Sequence, residues 1–222
     1  MGNVSATDGK KTRLSKAERQ ELLLQVATEV FLEKGYEAAS LDDIIRRAGG
    51  SRRNIYTEFG GKEGLFKALI VQIASQVLAP MHPHAYRDNS LEANLTSFAS
   101  RLIVVLFSPA ALGLSRLALF DGIRFPEIAK AYFASGPASA ALCLSTLLET
   151  AKTRGTIHCP DCTVAANQFI GMLRDNVYLA VLLRLREAPD EREKEELVKS
   201  AVGIFLDGLR KHENTNTVKS LA

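Results

Sequence analysis

The sequence predicts an all-α protein: a three-helix domain with a helix-turn-helix, then a larger helical bundle, about nine helices in total. Three observations carry this. Apolar residues recur at helical spacing along nearly all of the 222 residues, no stretch alternates with period two, and Ser-x-x-acid starts with Gly or Pro stops punctuate the chain. The length exceeds one typical ~150-residue domain and suffices to bury a core without a disulfide or metal staple.

Residues 1–14 are polar and read as a flexible basic arm carrying Lys10, Lys11 and Arg13. Ser15-x-x-Glu18 opens the first helix as a capping box. Leu23, Val26, Ala27, Val30 and Phe31 form its apolar face, and Gly35 ends it. Ser40-x-x-Asp43 opens a short second helix with Leu41, Ile44 and Ile45 inward, stopped by Gly49-Gly50. Ser51 caps a third carrying Ile55, Tyr56 and Phe59, stopped by Gly60-Gly61. Two helices of about two turns joined by a short Gly turn are the helix-turn-helix arrangement, whose second helix enters the DNA major groove. A generic three-helix bundle has the same spacing. The exposed residues of the third helix favour DNA: Arg matches guanine O6/N7, Asn matches adenine N6/N7, and Thr either more weakly. Arg52, Arg53, Asn54 and Thr57 are therefore candidates for base edges.

Lys62 begins a connecting helix over 62–79, before Pro80. Residues 80–89, with His82-Pro83-His84, read as an irregular connection. A fifth helix follows from Leu91, and a sixth over Ala110–Gly122. The seventh begins at Pro126 and must kink or split at Gly136-Pro137. The eighth is expected over Thr163–Glu187 and the ninth over Asp190–Lys211. The segments are thus 1–14, an arm; 15–61, the helix-turn-helix unit that favours DNA; 62–79, a connecting helix; 80–212, a larger helical domain, for which the family resemblance given below implies ligand binding and dimerisation; and 213–222, a flexible tail.

Composition narrows the function classes. Lys and Arg number 28 against 25 Asp and Glu, a net +3 that excludes a histone-like polycation and an acidic tail protein. Met1 to Leu14 has no apolar signal-peptide core. The uncharged run Ala131–Leu148 approaches the ~18-residue threshold for a spanning helix, but Gly136-Pro137 interrupts it and it reads as a buried helix. Three cysteines, an odd number, argue against a secreted disulfide framework, so a reduced cytoplasmic protein is expected. The sequence has no G-x-S-x-G, phosphate loop, H-E-x-x-H or dinucleotide fingerprint, and no enzyme activity, catalytic residue, cofactor or metal is expected.

Residues 18–66 resemble the tetracycline-repressor (TetR) family of bacterial regulators. The resemblance rests on Ala27-x-x-x-Phe31-x-x-x-Gly35-Tyr36, Ser40-Leu41-x-x-Ile44, Ala48-Gly49-x-Ser51, Ile55-Tyr56-x-x-Phe59 and Lys62-Glu63-x-Leu65-Phe66. Arg124-Phe125-Pro126-Glu127-Ile128 through Gly136-Pro137, and Gln168-Phe169 through Arg174, are similar to one common type of that family's C-terminal domain. The resemblance implies a homodimer that joins through its last two helices, binds double-stranded DNA at a palindromic operator, and is released by a small apolar or amphipathic effector. It implies phosphate contacts for Tyr56 and Lys62. Ser40 and Ser51, at helix starts, complete the DNA-binding set.

Two residues depart from the family pattern. Gly50 stands where a small apolar residue usually packs into the turn, and Glu58 stands near the phosphate-facing end of the third helix, where pairing with Arg53 or Lys62 would turn it aside.

The candidate effector-contacting residues are Phe98, Leu102, Phe107, Arg116, Phe120, Phe133, Arg174, Asn176 and Tyr178: apolar side chains with a few polar ones, as ligand sites require. A structural Arg116–Asp121 ion pair is a further expectation. His158-Cys159-Pro160-Asp161-Cys162 supplies two or three of the roughly four ligands zinc needs, and a redox Cys-x-x-Cys pair. Incidental loop residues, a thiol sensor through Cys159 and Cys162, and a metal sensor all fit it. A DNA-bound protein that recruits a partner without any effector is the other alternative.

Overall fold

The computed structural model describes residues 15–78 and 90–209; the arm, the connection with His82-Pro83-His84 and the tail lie outside the described residues. Every described element is α-helical. The chain forms two compact units divided between Leu65 and Phe66.

In the first unit, α1 (Lys16–Ala38) starts with a reciprocal box: the Glu18 amide donates to Ser15 Oγ at 3.2 Å, and the Ser15 amide to Glu18 Oε2 at 2.7 Å. Gly35, expected to end this helix, instead kinks it: its φ of 77°, which glycine adopts at no steric cost, breaks the helical path, and a last turn carries α1 on to Ala38. α2 (Leu41–Ala48) and α3 (Arg52–Phe59) are capped by Ser40 and Ser51, whose hydroxyls accept from the amides three residues on at 3.1 and 3.2 Å. α4 (Lys62–Leu78) follows and carries the division: from Phe66 on it belongs to the second unit. Ala27, Val30, Phe31, Ile44, Ile55 and Leu65 are fully buried and form this unit's core.

The second unit contains α5 (Leu91–Leu106), α6 (Pro109–Phe120), α7 (Pro126–Ser135), α8 (Pro137–Thr153), α9 (Cys162–Leu173), α10 (Asn176–Leu182) and α11 (Glu191–Leu209). α5 packs on α11, α8 on α9, and α9 on α11. At their centre Phe169 stands between Phe205, with ring centroids 4.7 Å apart, and Phe98, at 6.4 Å.

The described helices number eleven rather than about nine because two expected helices are divided. The seventh splits at Gly136, where Pro137 restarts it as a first-turn proline. The eighth stops at Arg174 because Asp175 caps a new helix, its Oδ1 accepting from the Val177 and Tyr178 amides at 2.8 and 3.4 Å. That new helix ends at Leu182, short of the expected Glu187, and Arg184 turns out of it with φ 61°. Taken together, Pro126–Thr153 is apolar and long enough to cross a membrane, with mean hydropathy 1.3, a test that the core helix of a bundle also passes.

Candidate nucleic-acid interface and interior cavity

α3 buries Ile55 and exposes Arg52, Arg53, Asn54, Tyr56, Thr57 and Glu58. Arg53 and Thr57, four residues apart, share one side of the helix with Asn54 between them. Arg53 makes no ion pair among the described residues, whereas Arg52 is engaged. Its Nε donates to Asp42 Oδ1 at 2.7 Å and its Nη2 to Asp42 Oδ2, tying the start of α3 to α2. Those hydrogen bonds are also the chief reason the Asp42 carboxyl is held below its usual range.

The rest of the helix-turn-helix is braced in the same way. Arg47 forks onto Glu33 at 2.9 and 2.6 Å, joining α2 to α1. Asp43 is the buried hub: it pairs with Lys34 at 2.8 Å, with Arg46, and with the Ser40 hydroxyl at 2.7 Å. Lys34, then Ser40, hold its carboxyl well below the usual carboxylate range.

Gly50 sits in the turn at φ 95°, and the space beside it is open. A groove of about 340 Å³ lies there, lined by Leu23, Gly49, Gly50, Asn54, Lys16 and Glu58 among others. The absent apolar side chain therefore leaves a gap, and the Arg52–Asp42 fork bridges α2 and α3 in its place. Glu58 is exposed and lines this groove with Lys16 and Arg19, and it pairs with neither Arg53 nor Lys62. Tyr56 is 59% exposed. Lys62 is half-buried: its ammonium donates to the Glu37 carbonyl at 3.1 Å and lies 4.5 Å over the Tyr36 ring. Ser40 and Ser51 both serve as helix caps.

The second unit contains an apolar cavity of about 70 Å³ whose lining includes Leu102, Leu106, Ile170, Ser115, Tyr132 and Arg174. Of the nine expected effector contacts, Leu102 and Arg174 line it. Tyr178 stands behind the wall, its hydroxyl 3.1 Å from Ser115 Oγ, with Phe107 edge-on to its ring at 5.9 Å. Phe98 belongs to the central aromatic core. Arg116 is consumed by α10, donating to the Leu182 and Val181 carbonyls at 2.8 and 2.9 Å instead of pairing with Asp121.

Three further expected contacts lie away from this cavity. Phe120 ends α6 and is 72% exposed; Phe133 is 64% exposed because Tyr132, one residue earlier on α7, takes the inward side; and Asn176 is exposed at the start of α10. Sequence reasoning missed Ser115 and Tyr132, whose only signal was a polar group on an otherwise apolar helix face.

Cys159 and Cys162 are buried, at 2% and 1% exposure. Burial first, then hydrogen bonding with Cys159 and Glu149, pushes the Cys162 thiol well above its usual range, which suppresses the reactive thiolate. Among the described residues no cluster of three metal-ligating side chains occurs.

Residues 23–69 match the family described as bacterial regulatory proteins, tetR family, and residues 93–208 match the AefR-like transcriptional repressor, C-terminal domain. The chain belongs to the TetR family. Its relatives include the HTH-type transcriptional regulator AlkX of Mycobacterium tuberculosis, 29% identical over 58% of this chain and 62% of AlkX. The activator FasR of Mycolicibacterium smegmatis is 43% identical over 26% of each chain. The matched stretches thus span less than two thirds of these curated relatives.

Two solved structures cover more of the chain. A putative TetR-family regulator from Mesorhizobium loti superposes with TM-score 0.73 at 26% identity, covering 88% of this chain and 98% of that one. The flavonoid-responsive regulator FrrA superposes with TM-score 0.70 at 26% identity, covering 88% and 99%. These proteins are named as regulators, not enzymes, and the family is one of transcriptional regulators.

Proposed function

We propose that this TetR-family chain is a ligand-responsive repressor that binds a palindromic operator as a homodimer and is released by a small apolar or amphipathic effector in the bacterial cytoplasm. The observation that carries the reading is the Ser51-capped α3, which offers Arg53, Asn54, Tyr56 and Thr57 to the exterior while α1 and α2 are pinned behind it by ion pairs. Arg53, Asn54 and Thr57 are assigned to base edges; Tyr56, Lys62, Ser40 and Ser51 to phosphate. Arg52 is assigned to orientation of α3 through Asp42.

Dimerisation is assigned to α9 and α11. Val164 and Ile204 on their outer faces are 50% and 60% exposed, and a second copy would cover them. The cavity supports an effector site, and FrrA, with a similar fold, is named for a small-molecule response. Bound effector would favour a dimer whose recognition helices are wrongly spaced; by linkage, operator DNA must weaken effector binding by the same factor.

One observation favours a second reading. The cavity is small, and Leu119, Phe120 and Ile123 form an exposed apolar surface at 57%, 72% and 85%. A DNA-bound protein that recruits a protein partner through such a surface would need no effector. Mobility-shift titration of operator DNA with the full chain separates the two. The first reading expects a small apolar or amphipathic compound to lower operator affinity. The second expects affinity that no such compound moves and that substitution of Phe120 leaves intact.

A further inference from the structure

We propose that the cavity of the second unit takes an amphipathic carboxylate, an apolar body with one carboxylate group, and that Arg174 receives the charged end. This rests on the reading of the chain as a ligand-responsive regulator and names the ligand class of that site.

Arg174 stands at the break between α9 and α10 and lines the cavity. Its Nε is buried and has no hydrogen-bond partner. Its guanidinium carbon lies 5.6 Å from the Tyr178 ring centroid, a cation–π contact that holds the group at the wall. No acid among the described residues pairs with it, and no acid lines the cavity. The contrast with Arg116 is informative. That guanidinium spends its Nε and Nη2 donors on two helix-end carbonyls, so its role is complete within the fold. Arg174 keeps a buried donor open. Leaving such a donor unpaired costs free energy, more so for a charged group, and a ligand acceptor removes that cost.

The neighbouring hydroxyls decide the polarity of the ligand. Ser115 Oγ donates its one proton to the Ala111 carbonyl at 2.7 Å. It must therefore accept from both phenols, Tyr132 at 2.7 Å and Tyr178 at 3.1 Å. Both phenolic protons are spent on Ser115. Burial pushes the Tyr178 phenol up, so it stays neutral and adds no negative charge beside Arg174. Arg174 is then the donor available at a wall that is otherwise apolar, and a cationic ligand is repelled there.

At about 70 Å³ the cavity is narrower than the roughly 300–1,000 Å³ of drug-sized ligand pockets, so an occupant must widen it. Both divided helices reach its wall, at Gly136-Pro137 and at Arg174. A helix already interrupted can shift one segment without losing the hydrogen bonds of the other. Widening at these two places is how occupancy would move the surrounding helices.

The test is isothermal calorimetry on the full chain with butanoate, hexanoate, octanoate, decanoate and the matched primary alcohols. The unmodified protein, Arg174→Met and Arg174→Lys are compared, with circular dichroism checking the fold. At least one carboxylate should bind about tenfold or more tighter than its alcohol, the size of a charge-assisted hydrogen bond. Arg174→Met should erase that preference and Arg174→Lys should keep part of it. Equal affinity for acid and alcohol, an anion preference that survives Arg174→Met, or no carboxylate binding at millimolar concentration would each overturn the proposal. An alcohol that binds and lowers operator affinity without any charge preference would sink the carboxylate and leave the regulator reading standing. Carboxylate binding with no effect on operator affinity would do the reverse.

Discussion

The guanidinium of Arg52 forks onto the carboxylate of Asp42, with Nε 2.7 Å from Oδ1, and so fixes the first residue of α3 to α2. Both side chains are 62% exposed, and such pairs contribute little stability. What the fork provides is direction: it holds α3 across a turn where Gly50 supplies no packing.

Arg52, Arg53 and Asn54 should therefore differ as variants. Arg53→Ala or Asn54→Ala should relax specificity at one base pair of the operator, by about 1–3 kcal/mol. Arg52→Ala should weaken binding across all sequences and relax none. Competition against a panel of single-base operator variants measures this. Loss of discrimination at one position in Arg52→Ala would return Arg52 to the base-reading set.

Lys62→Ala and Tyr56→Phe should weaken binding evenly across sequences, as phosphate contacts do. For Lys62→Ala the slope of log affinity against log salt should become shallower by about one per subunit. Fluorescence anisotropy over a salt series reads the slope directly. An unchanged slope would restrict Lys62 to its contacts with Glu37 and Tyr36.

Asp43 makes a pH prediction. Its carboxyl is held low in the folded chain, chiefly by Lys34 and then Ser40, while an unfolded Asp titrates near ~4. Its contribution to stability is complete above that unfolded value and is lost as pH falls toward the folded one. Asp43→Asn should thus be less stable than the unmodified chain at neutral pH, and the gap should shrink as pH drops below about 4. Urea denaturation across a pH series tests it; a gap that widens on acidification contradicts it.

The buried cysteines should be inert. A maleimide at neutral pH should label native Cys162 far more slowly than urea-unfolded Cys162, because burial opposes its ionisation. The double variant Cys159→Ser, Cys162→Ser should regulate normally. Rapid native labelling together with a regulatory defect would revive the thiol-sensor alternative.

The first unit was legible because its signals are local. Ser15, Ser40 and Ser51 each cap the helix assigned to them, and Gly49 ends α2, whereas Gly35 kinks α1 three residues before its end at Ala38. The ion pairs were not legible, because Arg52 to Asp42 and Arg47 to Glu33 depend on how helices cross rather than on spacing along one helix. In the second unit, helical periodicity located Leu102 and Arg174 but could not separate cavity from core, so Phe98 and Phe107 were grouped with them. The break at Arg174 was hidden because Leu173 to Leu183 reads as one apolar run. Its single cue is Asp175, a residue that competes for backbone amides and so starts a helix as readily as it interrupts one.

The central claim is that α3 reads DNA sequence through Arg53, Asn54 and Thr57 on its exposed face, with Tyr56 beside them on phosphate. Selection from a random duplex library by the full chain tests it most directly. The expected result is enrichment of a two-fold symmetric site with half-sites roughly one helical turn, ~34–36 Å, apart or slightly more, and its loss with Asn54→Ala. A folded chain that enriches no sequence would contradict the claim.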